Sequence, residues 1–187
     1  MLKGEKGAFR ESPAQILYFQ LVAHARQPIF YQAFGVPDTV VGRFDMILLF
    51  VALVVRRLRG DALSEDARAL ADGLFDVLFA DMDRSLREMG ISDIRVGKKV
   101  KAMAQAFYGR STAYDAALDG GEPLDEALRR NLYASTEVDE AMVQNMAAYI
   151  QRAMAGLEGH TLNRLIAGDP GFVPPTQGDV DPGGEEI

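Results

Sequence analysis

Three features of the 187-residue chain predict an all-α fold. Apolar residues recur at the three- and four-residue spacing of helix faces. Sustained alternation is lacking, as is any Asn-Gly turn between β-branched runs. Helix start and stop signals are frequent along the chain. The hydrophobic share of 48% suits a globular chain, and the length suffices for one domain with a core. The expectation is a single compact domain of about seven helices over residues 11–175. A flexible N-terminus, 1–10, would precede it, and an acidic, disordered tail, 176–187, would follow.

Each element has its own grounds. In "ESPAQILYFQLVAHA", Ser12 is placed to cap a helix and Pro13 fits its first position. "PIFYQAFG" reads as a short helix or turn that stops at Gly35. "PDTVVGRFDMILLFVALVVRRLRG" starts near Asp38 and ends on Gly60, with arginines in its last turn, where the helix dipole favours them. Its apolar run, Met46 to Val55, is ten residues long. A membrane span needs roughly 20, so a buried core helix is expected. Asp45 before the run and Arg56, Arg57 and Arg59 after it close it off.

"SEDARALADGLFDVLFADMDRSLREMG" has Ser64 as cap and ends on Gly90, with Ala71, Phe75, Leu78, Met82, Leu86 and Met89 read as one face. "SDIRVGKKVKAMAQAFYGRSTAYDAALD" follows, with Gly109 a candidate bend. "EPLDEALRRNLYA" is a short helix. "TEVDEAMVQNMAAYIQRAMAGLEG" carries Met142, Met146, Ile150 and Met154 at four-residue steps. The end is rich in Pro, Gly and acid, hence the tail expected from Thr176.

Composition removes several chemistries. A net charge of −7 argues against a surface that grips nucleic acid throughout, and no DNA partner is expected. The chain has no cysteine, which excludes disulfides, thiolate zinc sites, iron–sulfur clusters and Cys nucleophiles. Two histidines far apart, His24 and His160, make a His-rich metal site improbable, and no cofactor is expected. "VGKKV" has Ser92 and Lys99 where a P-loop needs Gly and Ser or Thr. The N-terminal residues lack the apolar core of a secretory signal.

Charged residues remain to be placed. Asp83 and Arg87, and likewise Arg84 and Glu88, stand at i,i+4 and read as ion pairs on a helix face, either solvated or in contact with a partner. In the following helix, Val96, Val100, Met103, Phe107, Tyr114 and Leu118 form an apolar stripe that Arg110 interrupts. A guanidinium there either pairs with a carboxylate from another helix or sits at a cleft as a recognition group. Lys98, Lys101, Gln105 and Tyr108 lie on the opposite side and, with Arg95 and Lys99, form a basic patch. It is either plain solvated surface or a contact for acidic protein loops, lipid headgroups or RNA. The methionine stripe reads as core or as a soft surface for varied apolar clients. The candidate partner-binding residues are Asp83, Arg87, Glu88, Arg95, Lys98, Lys99, Lys101, Tyr108 and Arg110; no catalytic residue is assigned.

The stretch "DMDRSLREMGISDIRVGKKVKAMAQAFYGR", residues 81 to 110, resembles the signature of the ubiquinol–cytochrome c chaperone family. The resemblance extends more weakly from about Tyr18, through "DMILLFVALVVRRLRG", to about Leu165. It implies an all-helical, non-enzymatic assembly factor for cytochrome b of the bc1 complex. Mitochondrial members work with a small helical partner and associate with the translating ribosome. This sequence lacks the long N-terminal targeting extension expected of them, so it resembles a bacterial homologue. That implies a cytoplasmic location, peripheral at the inner membrane, in place of the mitochondrial matrix of a eukaryotic member. A competing reading is a helical regulator that binds a small anionic or lipid-like ligand near Arg110; an enzyme using the carboxylates is a third. A deep closed cavity at Arg110 would favour the ligand, and a broad open surface lined by charges and Met would favour the chaperone.

Overall fold

Side-chain caps set where the helices begin. In a computed structural model, which describes residues 11–180, the Ser12 hydroxyl accepts from the Gln15 N–H at 3.2 Å, and the Gln15 side chain accepts from the Ser12 N–H at 2.8 Å. Thr39, Ser64 and Asp139 likewise cap their helices. Eight α-helices follow: α1 (Pro13–Ala25), α2 (Pro28–Gln32), α3 (Val40–Gly60), α4 (Glu65–Glu88), α5 (Asp93–Leu118), α6 (Leu124–Asn131), α7 (Glu140–Glu158) and α8 (Leu162–Ile166). There is no strand among the described residues. The fold is all-α, as expected, with short α8 the addition to the seven predicted helices. Helix α5 runs unbroken through Gly109.

The arrangement follows from α3, whose residues Met46 to Val55 are all buried. A helix apolar on every side needs neighbours on every side. They are supplied in sequence: α1 packs on α4, α4 on α5, α5 on α6, α6 on α7, and α8 returns to α1. The α1–α4 approach is close enough that a Cβ on Gly73 would stand 2.8 Å from that of Ala14, so glycine is required there. Gly35 ends the α2 segment with φ +68, the left-handed conformation the sequence implied for it.

Against the middle of α3, the aromatic residues Phe30, Phe50, Tyr149 and Phe172 surround His24, and Phe34 packs on Phe30 and Tyr149. The Tyr149 hydroxyl donates to the Val173 carbonyl at 3.1 Å. Its oxygen must therefore accept from His24 Nε2 (2.6 Å), while Gln27 donates to Nδ1 (3.0 Å). Burial pushes the His24 pKa down to about 4, so the ring is neutral and fully hydrogen-bonded at neutral pH.

Two expectations change and one open reading is decided. The buried line of α4 is Leu70, Leu74, Leu78, Met82 and Leu86; Ala71 and Phe75 are half-buried and Met89 is 54% exposed. Met89 is the C-cap, beyond the last turn that packs. The methionines of α7 are core, not a client surface: Met146 and Met154 are buried, and Met142 is half-buried against Gly35. The first residues of the expected tail have a defined place, since Thr176 and Asp179 cap a short 3₁₀ turn and Asp179 pairs with Arg152 of α7. Residues 181–187, like the expected flexible 1–10, lie outside the described residues.

Candidate functional site: the α4–α5 arm

The end of α4 and the beginning of α5 leave the helix ring as an arm. Gly90 turns the chain with φ +79. Leu86 and Val96 are buried but stand apart from the main hydrophobic core. Between Asp93 and Gly109, only Val96 and Phe107 are buried. The stripe predicted for α5 is thus correct in phase but only partly covered, since Val100 and Met103 are half-buried.

Charge distinguishes this arm. Seven basic and four acidic residues lie between Asp81 and Arg110, in a chain whose net charge is −7. Arg87 grips Asp83 of its own helix, with Nε at 2.5 Å, and also reaches Asp93 at the start of α5. That hydrogen bond holds the Asp83 carboxyl below the usual carboxylate range. Arg84 pairs with Asp81 in place of the expected Glu88, because i,i+3 brings the shorter carboxylate into reach and Asp81 is already fixed by the Tyr18 hydroxyl at 2.8 Å. Glu88 is exposed, without an ion pair among the described residues. Arg95, Lys98, Lys99 and Lys101 are exposed too, and none has an ion pair among the described residues. They include every lysine of the described segment. Tyr108 is 54% exposed, its ring 5.9 Å from that of Phe75. The tip also presents Ile94, 84% exposed.

Arg110 sits where α5 rejoins the ring. Its guanidinium pairs with Asp45 of α3, the two side chains being 26% and 10% exposed. Burial holds the Asp45 carboxyl above its ordinary range, and Arg110 pulls it back down. This is the interhelical ion pair that the interrupted stripe suggested. The partner was missed, though a lone carboxylate on the edge of a ten-residue buried run was a signal for it. Arg56 and Arg59, assigned above to the helix dipole, do more: they bridge α3 to Asp115 of α5 and to Asp119, its C-cap.

Two open clefts lie at the far end of α3, not at Arg110. One, of about 570 Å³, is lined by Arg56, Arg57, Arg59, Met154 and Glu158; the other, of about 530 Å³, by Leu63, Ser64 and Leu162 among others. Among the described residues, no group of three His, Asp or Glu is arranged to hold a metal ion, and no helix is long and apolar enough to cross a membrane.

The described residues thus form an all-helical protein packed around one buried helix, with a cationic and partly apolar arm. The family whose profile matches residues 32–172 is described as ubiquinol-cytochrome C chaperone, and the chain belongs to that family. The solved structure of the Cbp3 homolog from Brucella abortus is 37% identical, with a TM-score of 0.76, covering 86% of this chain and 88% of that one. No curated protein sequence matches the chain.

Proposed function

We propose that the protein is a non-enzymatic assembly chaperone that binds newly made cytochrome b and supports biogenesis of the ubiquinol–cytochrome c reductase (bc1) complex. It acts in the cytoplasm, at the inner membrane. Family membership supports the chaperone role, and the likeness to a Cbp3 homologue agrees with it. The observation that carries the site is the arm: four cations without an ion pair among the described residues stand beside exposed Ile94, Met89 and Tyr108. A membrane-protein client offers both charged loops and apolar helices, and such a mixed surface suits both. Asp83 and Glu88 would read basic loop groups, and Arg87, Arg95, Lys98, Lys99 and Lys101 acidic ones. Arg110 serves by holding α5 to α3.

The test is a deletion strain complemented with tagged protein. Loss of the gene should lower cytochrome b and bc1 complex, and cytochrome b should co-purify with the wild-type chain from detergent extracts in a salt-sensitive manner. Normal bc1 levels in the deletion strain would refute the function. Undiminished co-purification with Lys98→Glu/Lys101→Glu would refute the site alone.

A further inference from the structure

Ile94, Lys98, Lys101, Gln105 and Tyr108 follow one another in α5 at steps of four and three, so they share one face. That face is about 21 Å long at 1.5 Å per residue. All five residues are exposed. Apolar Ile94 stands at the tip with Met89 of the turn beside it, Tyr108 stands at the other end, and the lysines lie between. An acidic protein would gain only from the lysines. A surface anionic at the headgroups and apolar beneath them gains from the whole pattern. The charge balance also selects one orientation: the arm is net basic within a net acidic chain, so an anionic surface attracts the arm and repels the rest.

We propose that this face docks on a bilayer containing anionic lipid, with Lys98 and Lys101 among the headgroups and Ile94 and Met89 entering the acyl boundary. Arg95 and Lys99 flank the contact. The protein lies on the bilayer and does not span it. The cellular meaning of this contact rests on the proposed location at the membrane, but it does not depend on cytochrome b, so vesicles without protein separate the two.

The experiment floats the full chain with phosphatidylcholine vesicles, with and without phosphatidylglycerol. Capture is expected only with phosphatidylglycerol, and it should vanish at about 0.5 M NaCl. Each basic residue near an anionic leaflet contributes about fivefold in partitioning, so Lys98→Glu/Lys101→Glu should weaken capture by at least about 25-fold. Arg26→Glu/Arg68→Glu makes the same charge change on exposed positions just after α1 and in α4 and should weaken it by less than about threefold. The chain has no tryptophan, so Ile94→Trp places one reporter at the tip; its emission should shift to the blue on phosphatidylglycerol vesicles. Circular dichroism checks that each variant is folded. Absent flotation of folded protein, equal capture by both vesicles, equal loss in the control variant, or an unshifted tryptophan overturns the proposal. If vesicles are ignored while Lys98→Glu/Lys101→Glu still loses cytochrome b, the face belongs to protein contact and the proposal also falls.

Discussion

Helices α3 and α5 are both long, at 21 and 26 residues, yet they meet solvent in opposite ways. The middle of α3 buries ten successive residues, whereas the first 17 residues of α5, Asp93 to Gly109, bury two. The difference is not one of helix length. Helices α1, α4, α5 and α7 pack on α3, whereas the early turns of α5 leave every residue but Val96 and Phe107 at least partly uncovered. One helix is held by the core and the other is held out from it. Arg110 and Asp45 form the joint, because that pair lies where α5 passes from the arm to the ring.

Breaking the core side of this comparison should have the largest effect. Phe50→Ala, on α3 and within the aromatic cluster, should cost about 4 kcal/mol and lower the thermal midpoint of the whole domain. A loss below about 1 kcal/mol would mean that α3 is not the centre of the fold.

The joint comes next. Arg110→Ala leaves Asp45 buried without its partner and should cost about 3 kcal/mol at neutral pH. The sign of its pH dependence is fixed by Asp45. A buried carboxyl with a raised pKa disfavours the folded state when ionised, and that penalty is lost as pH falls through the raised value. The variant has lost the arginine that pulled this pKa down, so its deficit against wild type should shrink as the pH is lowered from neutral. A deficit that is constant with pH would remove Asp45 from the account. Because Arg110 makes one contact through Nη1 and not a two-pronged grip, Arg110→Lys should retain much of the lost stability.

Within the arm, Leu86→Ala should cost about 2 kcal/mol. Since Leu86 stands apart from the main core, hydrogen exchange should quicken in residues 86–100 more than in α3. Equal acceleration in α3 would show that arm and ring open together. The smallest effect belongs to Lys98→Glu/Lys101→Glu, which should change stability by less than about 0.5 kcal/mol, because both side chains are exposed. A larger loss would mean that these lysines hold the fold and are not a contact surface.

The same contrast decides what the sequence could reveal. The run Met46 to Val55 announced a buried helix because no side of it is polar. Ser12, Ser64 and Gly35 could be assigned because caps and turns depend on residues within one turn. The face of α4 was read correctly at Leu78, Met82 and Leu86 but one position off before them, because Ala71 and Phe75 flank the stripe and look as apolar as the leucines that form it. Arg110 could be recognised as needing a partner, but Asp45 is 65 residues away and its choice is a matter of packing. The exposure of Ile94 and Met89 was hidden for a similar reason: helical spacing shows which residues share a face, not whether anything covers it. The place of Asp179 had a local sign, the Thr-x-x-Asp capping pattern at Thr176, which the surrounding prolines and glycines obscured.

The setting of His24 bears on the order in which the molecule can be completed during synthesis. Its ring lies in α1, but the hydroxyl it bonds belongs to Tyr149, and the carbonyl that orients that hydroxyl belongs to Val173. Phe172 closes the same cluster at 5.2 Å from the imidazole. While the chain is still emerging, α1 can find α3 and α4, yet His24 has no native partner for Nε2 until α7 has formed. The histidine stays accessible to water through most of elongation and gains its full set of hydrogen bonds only near the last step. A protein from a family of chaperones thus withholds its own final closure until residues near its C-terminus are made.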